Sequence, residues 1–367
     1  MSISLENINL KVGDEIYLKD ISLEFDSGST NIFLGRTLAG KTSLLRILAG
    51  LDRPSSGKIR VDGKDVTGVS VRKRNISMVY QQFINYPSFT VYDNIASPLK
   101  VAGMDRSRID SRVREVAEML HLEEMLERMP IELSGGQQQR CAIARALVKD
   151  VNLLLLDEPL VNLDYKLREE LQIDLQEIFR QRDAIVVYTT TEPGEALKLG
   201  GRIVVLDQGR VLQTGITSQV YHRPSSVKVA EVFSDPPINL IDCRVENSTF
   251  HLGSDVSLSL SGNLSSLAPG EYMAGIRSNH LYLKAQAGAD ISMDTVINLS
   301  EINGSETFFH VNYAGTNLVV QEVGVYSRKI GSGLKIFLDP ENLFVFSKTG
   351  ELILSPKNTL AETAQES

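Results

Sequence analysis

Residues 133–164 read LSGGQQQRCAIARALVKDVNLLLLDEPLVNLD, and two kinds of chemistry meet in them. Ser134, Gly135 and Gly136 stand at the head of a helical pattern running from Gln137 to Val148. An apolar, strand-like run from Leu153 to Leu156 then ends on Asp157-Glu158. A serine at a helix start can cap free backbone N–H groups, and glycines let a bulky anion approach the backbone. The helix dipole favours a phosphate at that end by about 0.3–1 kcal/mol for one charge at an exposed site. An acidic pair at the C-terminal end of a buried strand can hold Mg²⁺ through water and orient an attacking water. This stretch alone implies nucleotide chemistry.

Upstream, Asn31 to Leu34 is a short apolar strand that runs straight into GRTLAGKT, Gly35 to Thr42. The octet fits the phosphate-loop pattern G-x-x-x-x-G-K-[ST], and the residues from Ser43 onward have helical spacing. Gly35, Arg36, Thr37, Leu38, Ala39 and Gly40 would lay backbone N–H groups around the phosphates. Lys41 would reach the β- and γ-phosphates, and Thr42 would ligate Mg²⁺. Further along, a strand ends in Gln81-Gln82 before a loop through Tyr86-Pro87; composition alone makes this glutamine a solvated loop residue. Residues 88–149 hold a helical insert, and Ala184 to Thr189 form another buried strand that leads into Thr191. Strand–helix alternation predicts an α/β fold with a largely parallel sheet flanked by helices.

The character changes near Ser234-Asp235-Pro236-Pro237. Residues 236–355 are short alternating strands punctuated by Gly, Asn and Ser, which predicts an all-β second domain shaped as a small, OB-like barrel. Residues 1–235 would form the first domain, and residues 356–367 a polar, flexible tail. The net charge of −8 argues against nucleic acid as a partner. Two widely separated cysteines fit reduced thiols better than a disulfide framework. The N-terminus lacks the pattern of a secretory signal, and no apolar run is long enough to span a bilayer.

With the phosphate loop, LSGGQQQR and LLLLDEP in this order, the first 235 residues resemble an ATP-binding subunit of an ABC transporter. The β-rich domain is similar to the regulatory domain of the carbohydrate-importer subclass, through GIRSNHL (residues 275–281) and FLDPENLFVFSKTG (residues 337–350). The resemblance implies ATP and Mg²⁺ as cofactors. It assigns residues Gly35 to Ser43 to the nucleotide, Asp157 to the metal and Glu158 to the general base. Gln81 takes the place of the glutamine that links the nucleotide and its metal to the membrane subunits, which overturns the solvated-loop reading. Ser134, Gly135, Gly136 and Gln137 match the signature that binds the γ-phosphate of the opposite subunit in a head-to-tail dimer, and Asp164 matches the D-loop aspartate. The implied partners are a second ATPase subunit, two transmembrane permease subunits and, indirectly, a periplasmic solute-binding protein. The implied location is peripheral, on the cytoplasmic face of the inner membrane.

Four positions depart from that family pattern. Thr191 stands where the switch histidine belongs, and a hydroxyl cannot carry the charge or relay the proton of an imidazole. Leu38 replaces a glycine of the loop, Val12 aligns with the aromatic that stacks on adenine, and Val161 replaces the D-loop serine. Tyr17 could supply a ring, but a lone strand aromatic reads first as core. All four departures touch the site this chain would build with its own loop, whereas LSGGQ, which serves the neighbour, is intact. The expectation is therefore one of two unlike ATPase subunits in an importer for a carbohydrate or polyol, glycerol being the solute suggested by importers with two unlike ATPases. The alternative is a regulatory nucleotide-binding subunit with little hydrolysis of its own.

Overall fold

The computed structural model describes residues 1–289 and 291–357; the predicted tail lies, from residue 358 on, outside the described residues. The chain divides into two compact units, Met1–Thr217 and Ser218–Ser367. The division falls earlier than residue 235, because the short helices before that point group with the second unit.

In the first unit, β1 (Ser2–Val12) and β2 (Glu15–Asp26) form a long antiparallel hairpin. The two strands alternate buried and exposed positions, and Ile3, Leu5, Ile8, Leu10, Leu18, Ile21, Leu23 and Phe25 all face the core. β4 (Ser56–Val61) and β5 (Lys64–Asp65) extend this sheet to four strands. Against it packs α1 (Lys41–Ala49), with Leu44, Leu45, Ile47 and Leu48 buried.

The second sheet holds β3 (Thr30–Leu34), β6 (Ile76–Val79), β7 (Leu153–Asp157), β8 (Ile185–Thr190), β9 (Arg202–Asp207) and β10 (Arg210–Ile216). Its order is β10-β9-β3-β8-β7-β6, parallel from β9 to β6, with β10 antiparallel at the edge. β7 and β8 are buried at every position, as strands covered on both faces must be, and their runs of Leu, Ile and Val follow from that. The consequence for function is positional. The loops that leave the carboxyl ends of β3, β8, β7 and β6 emerge side by side, where ligands bind in open parallel sheets.

The helical insert consists of α2 (Val91–Val101), α3 (Arg106–Met119) and α4 (Gly135–Leu147). α4 starts two residues earlier than its periodicity predicts, because Gly135 and Gly136 adopt helical geometry behind the Ser134 cap. α5 (Tyr165–Arg180) and α6 (Pro193–Leu199) complete the unit. No helix among the described residues is long and apolar enough to cross a membrane.

The boundary falls at the first residue of α7 (Thr217–His222), whose remainder opens the second unit ahead of α8 (Val227–Val232). Two antiparallel sheets follow. One has the order β13-β12-β11-β14-β20-β21, built from β11 (Asn239–Glu246), β12 (Thr249–Leu252), β13 (Val256–Ser259), β14 (Gly270–Ile276), β20 (Phe344–Ser347) and β21 (Leu352–Leu354). The other, β15-β19-β16-β17-β18, uses β15 (Leu281–Tyr282), β16 (Ile291–Asn303), β17 (Glu306–Tyr313), β18 (Thr316–Val323) and β19 (Gly333–Leu338). Phe250, Leu252, Ile276, Phe309, Val311 and Ile336 from both sheets share one core, which gives the barrel-like all-β domain. Arg277 is buried in this unit with its guanidinium 3.5 Å above the Tyr221 ring centroid, a contact that offsets part of its desolvation.

Candidate active site

The phosphate loop leaves β3 at Gly35 and returns as α1. Gly40 occupies the N-cap of α1 with φ +101°, and no side chain caps the first turn. The leading N–H groups of the helix are therefore available to an anion. A Cβ at Gly40 would sit 2.9 Å from Leu18 Cδ2 and 3.0 Å from the Tyr17 carbonyl oxygen, so the loop can lie this close to β2 only with glycine there.

Lys41 is 4% exposed, unusually deep for a lysine. Its ammonium donates to the carbonyl oxygens of Gly35 (2.7 Å) and Arg36 (3.1 Å) and pairs with Glu158 Oε1 at 3.1 Å. Thr42 Oγ1 donates to Asp157 Oδ1 at 3.0 Å. The second acceptor contact of that oxygen is to Thr189 Oγ1 at 2.9 Å, and Thr189 Oγ1 in turn accepts from the Glu158 N–H at 2.9 Å. Burial raises the Asp157 carboxyl above its ordinary value, and the Thr189 and Thr42 hydroxyls oppose that rise. Gln81 Nε2 donates to Glu158 Oε2 at 3.2 Å. The loop glutamine thus meets Glu158 while staying exposed to solvent.

Thr189 is a site residue that composition did not reveal. It lies at the end of β8, the strand between β3 and β7, and ties Asp157 to Glu158 through one hydroxyl. Thr191 stands past the end of β8, and none of the hydrogen bonds that hold Asp157 and Glu158 among the described residues reaches it. Behind it, Thr190 Oγ1 and Tyr188 Oη donate to the buried carboxylate of Glu195 at 2.6 and 3.1 Å, which fixes the turn into α6.

Thr37 to Ser43, Gln81 and Glu158 line a cleft of about 580 Å³ together with Glu15, Ile16, Tyr17, Lys19 and Gly209. Tyr17 is 39% exposed and lines this cleft, so the core reading of this ring is corrected. Val12, in contrast, lies at the hairpin tip and is not among the lining residues. Leu38 has φ +66° and is 91% exposed. A left-handed conformation costs an ordinary residue roughly 1–2 kcal/mol, and here no burial of the leucine offsets it.

The signature residues lie elsewhere on this unit. Ser134 Oγ accepts from the Gln137 N–H at 3.3 Å, while Gln137 Oε1 accepts from the Ser134 N–H at 3.0 Å. With its lone pair engaged in the cap, the serine hydroxyl keeps its proton for an external acceptor. Gly135 carries open space above its Cα, whereas a Cβ on Gly136 would come 1.8 Å from Leu167 Cδ2. Asp164 caps α5, its Oδ1 accepting from the Leu167 N–H at 3.0 Å. The start of α4 and the start of α5 therefore touch through Gly136 and Leu167.

A family model described as ABC transporter matches residues 18–161. The sn-glycerol-3-phosphate import ATP-binding protein UgpC of Escherichia coli O1:K1 is 36% identical over 341 residues, which is 92% of this chain and 95% of that protein. The chain belongs to the ABC transporter ATP-binding family. UgpC of Chromobacterium violaceum is 34% identical over 348 residues, 94% of each chain. Among solved structures, a dimeric post-hydrolysis state of the ATP-binding cassette MJ0796, bound to ADP and Pi, is 31% identical with a TM-score of 0.53. It covers 59% of this chain and 98% of that one. As an ABC ATPase the chain binds ATP and couples its hydrolysis to transport.

Proposed function

We propose that this chain is the energy-coupling ATPase subunit of an importer for a small polyol or its phosphate ester, and that it works beside a second, unlike ATPase subunit. The observation that carries the catalytic part is the single hydrogen-bonded cluster of Lys41, Thr42, Gln81, Asp157, Glu158 and Thr189 at the carboxyl ends of four adjacent strands. The polyol assignment is supported by relatives whose names give sn-glycerol-3-phosphate as the imported solute. Two transmembrane permease subunits would complete the complex at the cytoplasmic face of the membrane, with a solute-binding protein acting through them.

In the cycle we infer, the loop N–H groups and Lys41 bind the phosphates, and Glu158 takes the proton of the attacking water. Thr42 Oγ1 and Asp157 Oδ1, 3.0 Å apart, are oxygen donors of the kind Mg²⁺ prefers, and the ion would neutralise charge on the β- and γ-phosphates. Gln81 reports the state of Glu158 to the membrane partners. Ser134 and Gly135 present the open end of α4 to the nucleotide held by the neighbour.

The division of labour is supported by three of the departures. Thr191 offers no imidazole, Leu38 projects from a left-handed position, and Val161 replaces a hydroxyl. Losing a charged contact to the γ-phosphate costs about 1.5–3 kcal/mol, or ten- to a hundredfold in rate when felt in the transition state. Purified alone, the chain is expected to bind ATP and turn it over slowly; brisk turnover by a homodimer rules out the asymmetric arrangement. In the assembled transporter, Thr191→His is expected to raise solute-stimulated ATPase activity about tenfold or more. An unchanged rate would show that the missing imidazole does not limit this site.

A further inference from the structure

The family resemblance places the base-stacking aromatic at Val12, and that side chain neither carries a π-face nor lines the cleft. The ring that does line it is Tyr17. Its backbone is clamped on two sides by glycines. A Cβ on Gly209 would lie 2.4 Å from the Tyr17 carbonyl oxygen, and one on Gly40 would lie 3.0 Å from the same atom. Lys19 N–H donates to the Gly209 carbonyl at 2.8 Å, and Gly209 N–H donates to that of Ala39 at 3.0 Å, so β2 is stitched through Gly209 to the phosphate loop two residues beyond Tyr17. The phenol hydroxyl donates to Glu15 Oε2 at 2.8 Å, which ties the ring to a second residue that lines the cleft. Neighbouring Ile16, 54% exposed and also lining the cleft, adds apolar surface.

We propose that Tyr17 is the platform on which the nucleotide base stacks in this chain, taking over the task from the position now held by Val12. The proposal rests on the phosphate-loop reading of the site and adds to it the residue that recognises the base. Stacking is indifferent to the phosphates, so the two contributions separate by choice of ligand. A base on an aromatic ring contributes enough that removing the ring weakens binding by about ten- to a hundredfold.

The test uses the full chain and two probes, ATP and inorganic tripolyphosphate, each competing with a ribose-labelled fluorescent ATP. Tyr17→Ala is expected to weaken ATP by about ten- to a hundredfold and leave tripolyphosphate unchanged. Tyr17→Phe, which keeps the π-face and loses only the hydroxyl, is expected to bind ATP as the parent does. Val12→Ala is expected to change neither ligand. Equal weakening of ATP and tripolyphosphate by Tyr17→Ala would make the ring a buttress of the loop, and undiminished ATP binding would remove it from the site; either overturns the proposal. A parent chain that binds neither probe overturns the phosphate-site reading itself, and the role of Tyr17 with it.

Discussion

Replacing Lys41 with methionine is expected to weaken ATP binding by a hundredfold or more, measured by titration with ribose-labelled ATP. Two losses combine. One is the charge-assisted hydrogen bonding of the ammonium to the phosphates, worth about 1.5–3 kcal/mol. The other is exposure of the incoming γ-phosphate to a Glu158 carboxylate no longer neutralised at 3.1 Å. Methionine nearly preserves the volume of the buried stem, so the thermal transition should fall by only a few degrees and a folded protein will be measured. Arginine is not a substitute here. The ammonium fits between the carbonyls of Gly35 and Arg36, and a planar guanidinium has no room at 4% exposure. Retention of ATP affinity in the methionine variant would exclude Lys41 as a phosphate ligand.

Glu158→Gln is expected to separate binding from turnover. A general base contributes about 10²–10⁴ in rate, so ATP hydrolysis by the chain's own site should fall by at least a hundredfold in a coupled phosphate-release assay. Affinity for ATP should rise several-fold instead of falling. Without nucleotide, Glu158 and the loop carbonyls hold Lys41, and the γ-phosphate must compete with a carboxylate for that ammonium. Removing the charge removes the competitor. The two substitutions are thus predicted to move affinity in opposite directions, and the double variant should bind ATP better than Lys41→Met alone because its repulsive partner is gone. A Glu158→Gln variant that hydrolyses at the parental rate would move the general base elsewhere.

How much of this was readable in the sequence depends on how local each contact is. Gly35 to Thr42 and Asp157-Glu158 are short runs whose geometry follows from strand ends and glycines, and they stand where the pattern puts them. Thr189 escaped because its partners, Asp157 and Glu158 at the end of β7, lie 32 and 31 residues away. In sequence it is one more β-branched residue in a buried strand, and only the order β3-β8-β7 places its hydroxyl between the two halves of the site. Tyr17 was misread for a related reason: alternation gives the face of a strand but not where its covering layer stops. In the second unit the strands were evident from their punctuation. Their pairing was not, because β14 joins β20 across some seventy residues of intervening chain. Thr191 and Leu38 were visible as departures, yet only the structure shows that the leucine occupies a left-handed position and stays in solvent.

The contact of Gly136 with Leu167 has a mechanical implication. The Ser134 turn is assigned to a nucleotide bound by a neighbouring subunit and the Asp164 turn carries the D-loop aspartate, and a Cβ on Gly136 would displace the Leu167 side chain that lies between their helices. The two turns are therefore in direct side-chain contact. A larger side chain at Gly136 would push Leu167 aside, so a change made on one turn reaches the other through packing alone.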